Sequence, residues 1–272
     1  MPRFRVAFLL LILVACAGAA DSGARFQFAP DVGPLRYSLL EESEILVNAP
    51  GMNITNASMS DATLRVDIGD QSAAGWSLTA TYEDFSHSTS GDMGGSSHNG
   101  DAFTGKPFTG VYTEDGHFDL ESSPDIPAAL LDQMDPAAFL VGLFPAFPPD
   151  GADQQGSWPH RFSFTDRTAF SATIEYDGVA TFAGDTVWAG VPARIIVSSG
   201  TLSMSGTGVP PGAPMEMTMT MAGNGETRYM WDATRGVMLA AITEGTAAGN
   251  LAGGGFEMPV AADTKITVQL QR

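Results

Sequence analysis

The chain has 272 residues, 13 Lys and Arg against 31 Asp and Glu, a formal net charge of −18, and one cysteine. This length fits one or two domains, and an all-β domain of this size is commonly single. The charge argues against nucleic acid and against a polybasic face for anionic lipid headgroups, and a lone cysteine excludes a disulfide framework or a zinc–thiolate cluster within one chain.

Residues 1–20 read MPRFRVAFLLLILVACAGAA. Arg3 and Arg5 form a basic head, and Val6 to Val14 is an uninterrupted apolar run of nine. That is signal-peptide length, well short of the ~20 residues a helix needs to span a bilayer. It ends in Leu13-Val14-Ala15-Cys16, with a small residue before the only cysteine of the chain. This stretch resembles the lipobox of bacterial lipoproteins. The resemblance implies that residues 1–15 are removed and that Cys16 becomes a lipidated N-terminus. Residues 16–24 are then a tether to a single domain, 25–272. Two or three acyl chains anchor firmly where one holds marginally, each buried CH₂ contributing about 0.8 kcal/mol. Ala17 follows the cysteine; in the sorting scheme the resemblance implies, Asp there favours inner-membrane retention, so the expected location is the periplasmic face of the outer membrane. Ordinary secretion with cleavage in Ala17-Gly18-Ala19-Ala20 is the alternative, and both readings export the chain.

The body is rich in Gly, Ser and Thr with little 3.6-residue periodicity, which favours strands joined by turns. Arg36 to Val47 is expected as a strand closed by Asn48-Ala49-Pro50-Gly51. The glycosylation-like triplets Asn53-Ile54-Thr55 and Asn56-Ala57-Ser58 read as chance strand residues. Thr63 to Ile68 and Trp76 to Phe85 alternate with period 2. Gly91 to Gly100 reads as a loop or hairpin tip. Asp115-Gly116 marks a hairpin between Phe108–Tyr112 and His117–Leu120.

In the second half, strands are expected at 161–164, 169–176, 179–182, 186–188, 193–197 and 200–206. Met215 to Met221 alternates without a fault. Asn224-Gly225 is expected to turn the chain into Thr227–Trp231, and 232–236 to turn it into Val237–Thr243. Thr264 to Leu270 closes the chain.

The exception is Asp125 to Phe147. Pro127 and Pro136 each suit a first helical turn, predicting two short helices at about 127–134 and 136–144. The second is apolar on nearly every side, so it is buried or covers something apolar. The expected fold is therefore mainly β: a curved antiparallel sheet or partly open barrel with a short helical insertion. That architecture resembles the half-barrel of periplasmic lipoprotein carriers and related mycobacterial lipoproteins. The junction from Phe147-Pro148-Pro149 to Gly156-Ser157-Trp158 is also similar to that of uncharacterised bacterial lipoproteins.

Catalytic signatures are sparse. No Gly-x-Ser-x-Gly elbow occurs, and Gly206-Thr207-Gly208 and Gly223-Asn224-Gly225 lack phosphate-loop spacing. His87, Asp92, His98 and Asp101 are metal-ligating types near one hairpin tip, but a solvated loop explains them better, so no metal or cofactor is assigned. The acidic region from Asp67 to Asp153 holds 15 carboxylates against Lys106 alone, which suits a solubilising surface or a basic partner. The apolar features are the Met215, Met217, Met219, Met221 stripe and the Phe139, Leu143, Phe144 helix. They are read as core, or as the adaptable wall and lid of a lipid-sized cavity. The sequence thus points to a non-enzymatic envelope lipoprotein that holds or presents an apolar ligand. The alternatives are an interaction protein with a filled core that binds another envelope protein and, third, a hydrolase built from scattered carboxylates.

Overall fold

Alternation of inward apolar and outward polar side chains runs much further along the chain than its short apolar runs suggest. The computed structural model describes residues 26–29, 33–92, 94–148, 156–168, 170–209 and 215–271. The export segment, Cys16 and the tether lie outside these residues. The first half forms β1 (Leu35–Ala49), β2 (Met52–Ser72), β3 (Gly75–Gly91), β4 (Ser96–Asn99), β5 (Pro107–Tyr112) and β6 (Phe118–Ser122). Two single-turn helices follow, α1 (Ala128–Leu131) and α2 (Ala138–Val141). The second half forms β7 (Ser157–Thr165), β8 (Thr173–Trp188), β9 (Val191–Gly208), β10 (Met217–Asp232), β11 (Val237–Gly253) and β12 (Phe256–Leu270).

All neighbours pair antiparallel in the order β6-β5-β3-β2-β1-β12-β11-β10-β9-β8-β7, with β4 also pairing β3. Each half is a meander, and the first and last strands close the seam between them, Leu39 facing Val268. The two edges, β6 and β7, are consecutive strands. The chain between them therefore crosses from one edge of the curled sheet to the other and fills its hollow. The result is a half-barrel with a short helical insertion.

One end of the half-barrel is plugged with aromatic side chains. Tyr37, Trp76, Tyr112 and Trp231 converge there on Phe144 and Phe147 of the crossing segment, all buried. Phe26 and Phe28 enter at the same end. The Phe28 ring meets Trp76, Tyr112, Phe144 and Phe147 in edge-on contacts at 5.0–6.2 Å. The Arg194 guanidinium covers Phe26 at 5.5 Å, a cation–π contact.

Sheet side chains supply the hydrogen bonds that the crossing segment cannot make internally. Tyr82 donates to the Pro136 carbonyl at 2.7 Å, Trp158 Nε1 to Ala146 at 2.9 Å and Tyr229 to Gly142 at 3.2 Å, while Tyr112 donates to Phe144. Burial raises the Tyr82, Tyr112 and Tyr229 phenols well above their usual range, so they remain protonated donors. This external satisfaction explains why the two expected helices shrink to one turn each. The prolines at 127, 136, 145 and 148 remove donors, and carbonyls held by tyrosines need no helical partner. Asp135 fastens the segment on its other side: its buried carboxylate accepts from the Ala137 amide and from Arg167 Nη2 and Nε at 2.7–3.0 Å.

Several sequence-derived boundaries are corrected. Asn224-Gly225 is not a turn but the middle of β10, with Asn224 opposite Thr246. Gly200 does not divide two strands; β9 runs through it. The pieces at 169–176, 179–182 and 186–188 are largely one strand, β8, interrupted only by a register shift near Gly184. Of the two expectations for Gly91–Gly100, the hairpin tip holds: β4 returns antiparallel beside β3. In β8, β9 and β10 the misleading residues belong to a cross-strand row of glycines, Gly178, Gly200, Gly225 and Gly245, paired directly across β8 to β11. A Cβ on Gly178 would sit 2.8 Å from the Tyr176 ring. These glycines therefore make room for a side chain lying over the sheet rather than breaking it.

Candidate functional site

The inner face of the half-barrel continues past the plug as an open apolar trough. In an antiparallel ladder, directly opposed residues share a face. Ile174, Met204, Met221, Gly249 and Val260 form one such row across β8 to β12, and Met219, Leu251 and Met258 form the next. Met221 lies eight residues from Tyr229 with no register shift between them, so the row shares the face of the core tyrosine. Met221 and Val260 are buried; Ile174, Leu202, Met204, Met219, Leu251 and Met258 are half-buried. Along β9 and β10 the alternation with exposed Ser, Thr and Glu is unbroken from Thr201 to Gly208 and from Met217 to Arg228. Methionine makes such a wall adaptable, because its unbranched thioether repacks easily.

The residues singled out in the sequence separate into two groups. Leu143 and Phe144 are buried in the plug and Phe139 packs half-buried against it. Met217, Met219 and Met221 line the trough, but Met215 is exposed, before β10 begins. The plug therefore forms the closed end of the trough instead of a lid over the methionines. Sequence reasoning missed Met204, Leu202, Leu251 and Met258. Leu202 and Met204 alternate with Thr and Ser, but only strand order shows that all four face the methionine stripe.

Polar groups on the inner face gather around two histidines. Ser60 donates to Glu41 at 2.7 Å and lies 2.9 Å from His87 Nδ1. His98 of β4 stands directly opposite His87 and meets Gln133 at 2.9 Å. Burial raises the Glu41 carboxyl, an effect the Ser60 hydrogen bond opposes, and lowers the His87 imidazole, an effect to which His98 adds. The acids considered with these histidines turn elsewhere. Asp92 accepts from the Thr55 amide at 2.9 Å and Asp101 from Asn99 at 2.8 Å. Among the described residues, no three His, Cys, Asp or Glu side chains converge on a metal-sized space.

A second buried polar group joins the plug to the sheet. His160 Nδ1 bonds to Ser198 Oγ, and Tyr176 reaches the same oxygen at 3.0 Å. Burial pushes the His160 pKa down to about 4, against smaller opposing effects from the Gly116 backbone and Asp115. Gly116 must be glycine: its φ is +90°, and a Cβ would lie 2.6 Å from the His160 ring and 2.9 Å from the Ala146 amide.

The outer face carries an open groove of about 1120 Å³ across β3, β2, β1, β12, β11, β10 and β9. Two cross-strand rows line it. Met59, Glu42, Lys265, Glu244 and Glu226 form one; Ala57, Glu44, Asp263, Thr246 and Asn224 form the other. Five carboxylates therefore face one ammonium, with Lys265 3.5 Å from Glu244.

No known protein family matches this chain, and no curated protein is detectably similar to it.

Proposed function

We propose that the chain is an exported, lipid-anchored, non-enzymatic envelope protein whose half-barrel holds or presents an apolar, lipid-like chain along its inner face. The observation that carries this reading is the half-exposed Met, Leu and Ile wall beyond the plug. A filled core buries its apolar residues, whereas this wall keeps them accessible over five strands while the opposite face stays polar. The lipobox-like Leu13-Val14-Ala15-Cys16 supports the anchor and, with Ala17, an outer-membrane location facing the periplasm.

The test is titration with an environment-sensitive long-chain fatty-acid probe. The double variant Met217→Glu/Met219→Glu should bind it at least about tenfold more weakly, because a carboxylate against an aliphatic chain is left without a partner. Both positions are half-exposed, so the fold tolerates the change. Unchanged probe affinity contradicts the reading. The acidic outer groove favours a second reading, an interaction protein that takes a basic envelope partner. Its complex would dissolve as salt rises, whereas apolar chain binding persists.

A further inference from the structure

Among the described residues, four of the ten exposed large apolar side chains, including Met52 and Phe256, gather at one end of the sheet, while the most exposed, Val187, stands by itself at the β8–β9 turn of the other end. Met52 follows the β1–β2 turn and is 59% exposed. Phe256 follows the β11–β12 turn and is 63% exposed. Val209, after β9, and Met215, before β10, are 53% and 40% exposed. The three connections belong to hairpins that are neighbours in the sheet, since β1 pairs β12 and β11 pairs β10. They lie at the open end of the trough, opposite the aromatic plug. Met215 reaches across to the next tip, where a Cβ on Gly254 would meet its sulfur. Behind the tips, Met217, Leu251 and Met258 continue the apolar surface into the trough.

We infer that this rim docks on an electrically neutral lipid surface, with Met52, Val209, Met215 and Phe256 entering the acyl region. The charge of the rim selects the occupant. Residues 48–53, 208–209, 215–217 and 253–257 contain no Lys or Arg, and their only charges are Glu216 and Glu257. An anionic membrane or an acidic protein surface therefore finds no counter-charge, whereas zwitterionic headgroups accommodate isolated carboxylates beside apolar tips. Continuity with the trough gives an acyl chain a path from bilayer to inner wall without crossing water. The docking rests on the rim alone and does not require the trough to carry a ligand.

The test uses the full chain with Phe256→Trp and phosphatidylcholine vesicles whose acyl chains carry bromine. Quenching of the emission contributed by the new tryptophan, unchanged by 0.5 M salt on the order of the highest routine ionic strength, is the expected result. The variant Met52→Ser/Val209→Ser/Met215→Ser/Phe256→Trp should lose at least nine-tenths of that quenching. Its unfolding midpoint should match the parent because the changed side chains are exposed. Absence of quenching in the parent, equal quenching in both proteins, or quenching only with anionic vesicles overturns the inference. Crosslinking of a protein at position 256 in place of lipid quenching overturns it as well. The Met217→Glu/Met219→Glu variant separates the two proposals: loss of fatty-acid binding with retained quenching leaves the rim intact.

Discussion

Phe144→Ala should destabilise the fold by about 3–5 kcal/mol, the range for truncating a fully buried phenylalanine. Phe144 is 0% exposed and sits where three parts of the chain meet. Its ring makes edge-on contacts with Phe28 from the N-terminal segment at 5.0 Å, with Tyr37 of β1 at 5.8 Å and with Tyr112 of β5 at 5.5 Å. Each such pair contributes about 0.5–1.5 kcal/mol beyond burial. The loss divides into the transfer of the ring and the cavity it leaves, and the neighbouring Tyr37 and Tyr112, held by the Met238 and Phe144 carbonyls, have little freedom to collapse into it. Urea unfolding of the variant checks this. A loss below about 1 kcal/mol would mean that the crossing segment is loosely docked and that the end of the trough is not fixed.

The second large effect is expected on acidification. His160 is 2% exposed and its native pKa is pushed down to about 4 by burial. An unfolded histidine takes its proton near pH 6.5. Between those values the unfolded chain binds more protons than the native one, so stability is fully present above about pH 6.5 and falls as pH drops toward 4. A depression of this size corresponds to roughly 3 kcal/mol. The lowered His87 acts in the same direction. His160→Asn keeps a side-chain hydrogen-bonding group toward Ser198 but has no proton to gain. Comparing unfolding midpoints at pH 7.5 and 4.5, on the order of one pH unit outside and just inside this window, should show a smaller difference in the variant than in the parent. Equal differences would place the acid sensitivity in the carboxylates instead.

Much of this architecture is legible in the residues themselves. Period-2 runs such as Leu64, Val66, Ile68 and Trp76, Leu78, Ala80 mark strands because one face of each meets a core. The Pro-interrupted stretch at 125–147 stands out because no strand tolerates it. Two kinds of information are missing from a linear reading. The first is the difference between a glycine that turns the chain and one that makes room. Asn224-Gly225 has the composition of a tight turn, yet Gly225 lies in a glycine row with the Tyr176 ring 3.9 Å from where its Cβ would stand. The second is strand adjacency. The Met217, Met219, Met221 alternation is visible in the chain, but Met204 and Met258 join it only because β9 and β12 fold back beside β10 and β11. The same limitation hid Phe26 and Phe28. In sequence they adjoin a polar tether; in the fold they complete the plug. The four rim residues are scattered over 205 positions, from Met52 to Phe256, and become a surface only through the meander.

The proposed trough is tested most directly by a long-chain fatty acid bearing a diazirine near its terminal methyl. The probe is photolysed with the folded protein, and the labelled peptides are mapped by mass spectrometry. Labelling confined to inner-facing residues of β8 to β12, with Met204, Met219, Met221 and Met258 at its centre, is the predicted result. Labelling of the outer groove around Glu42 and Glu244, or no labelling of the folded chain, would contradict an apolar chain held along the inside of the half-barrel.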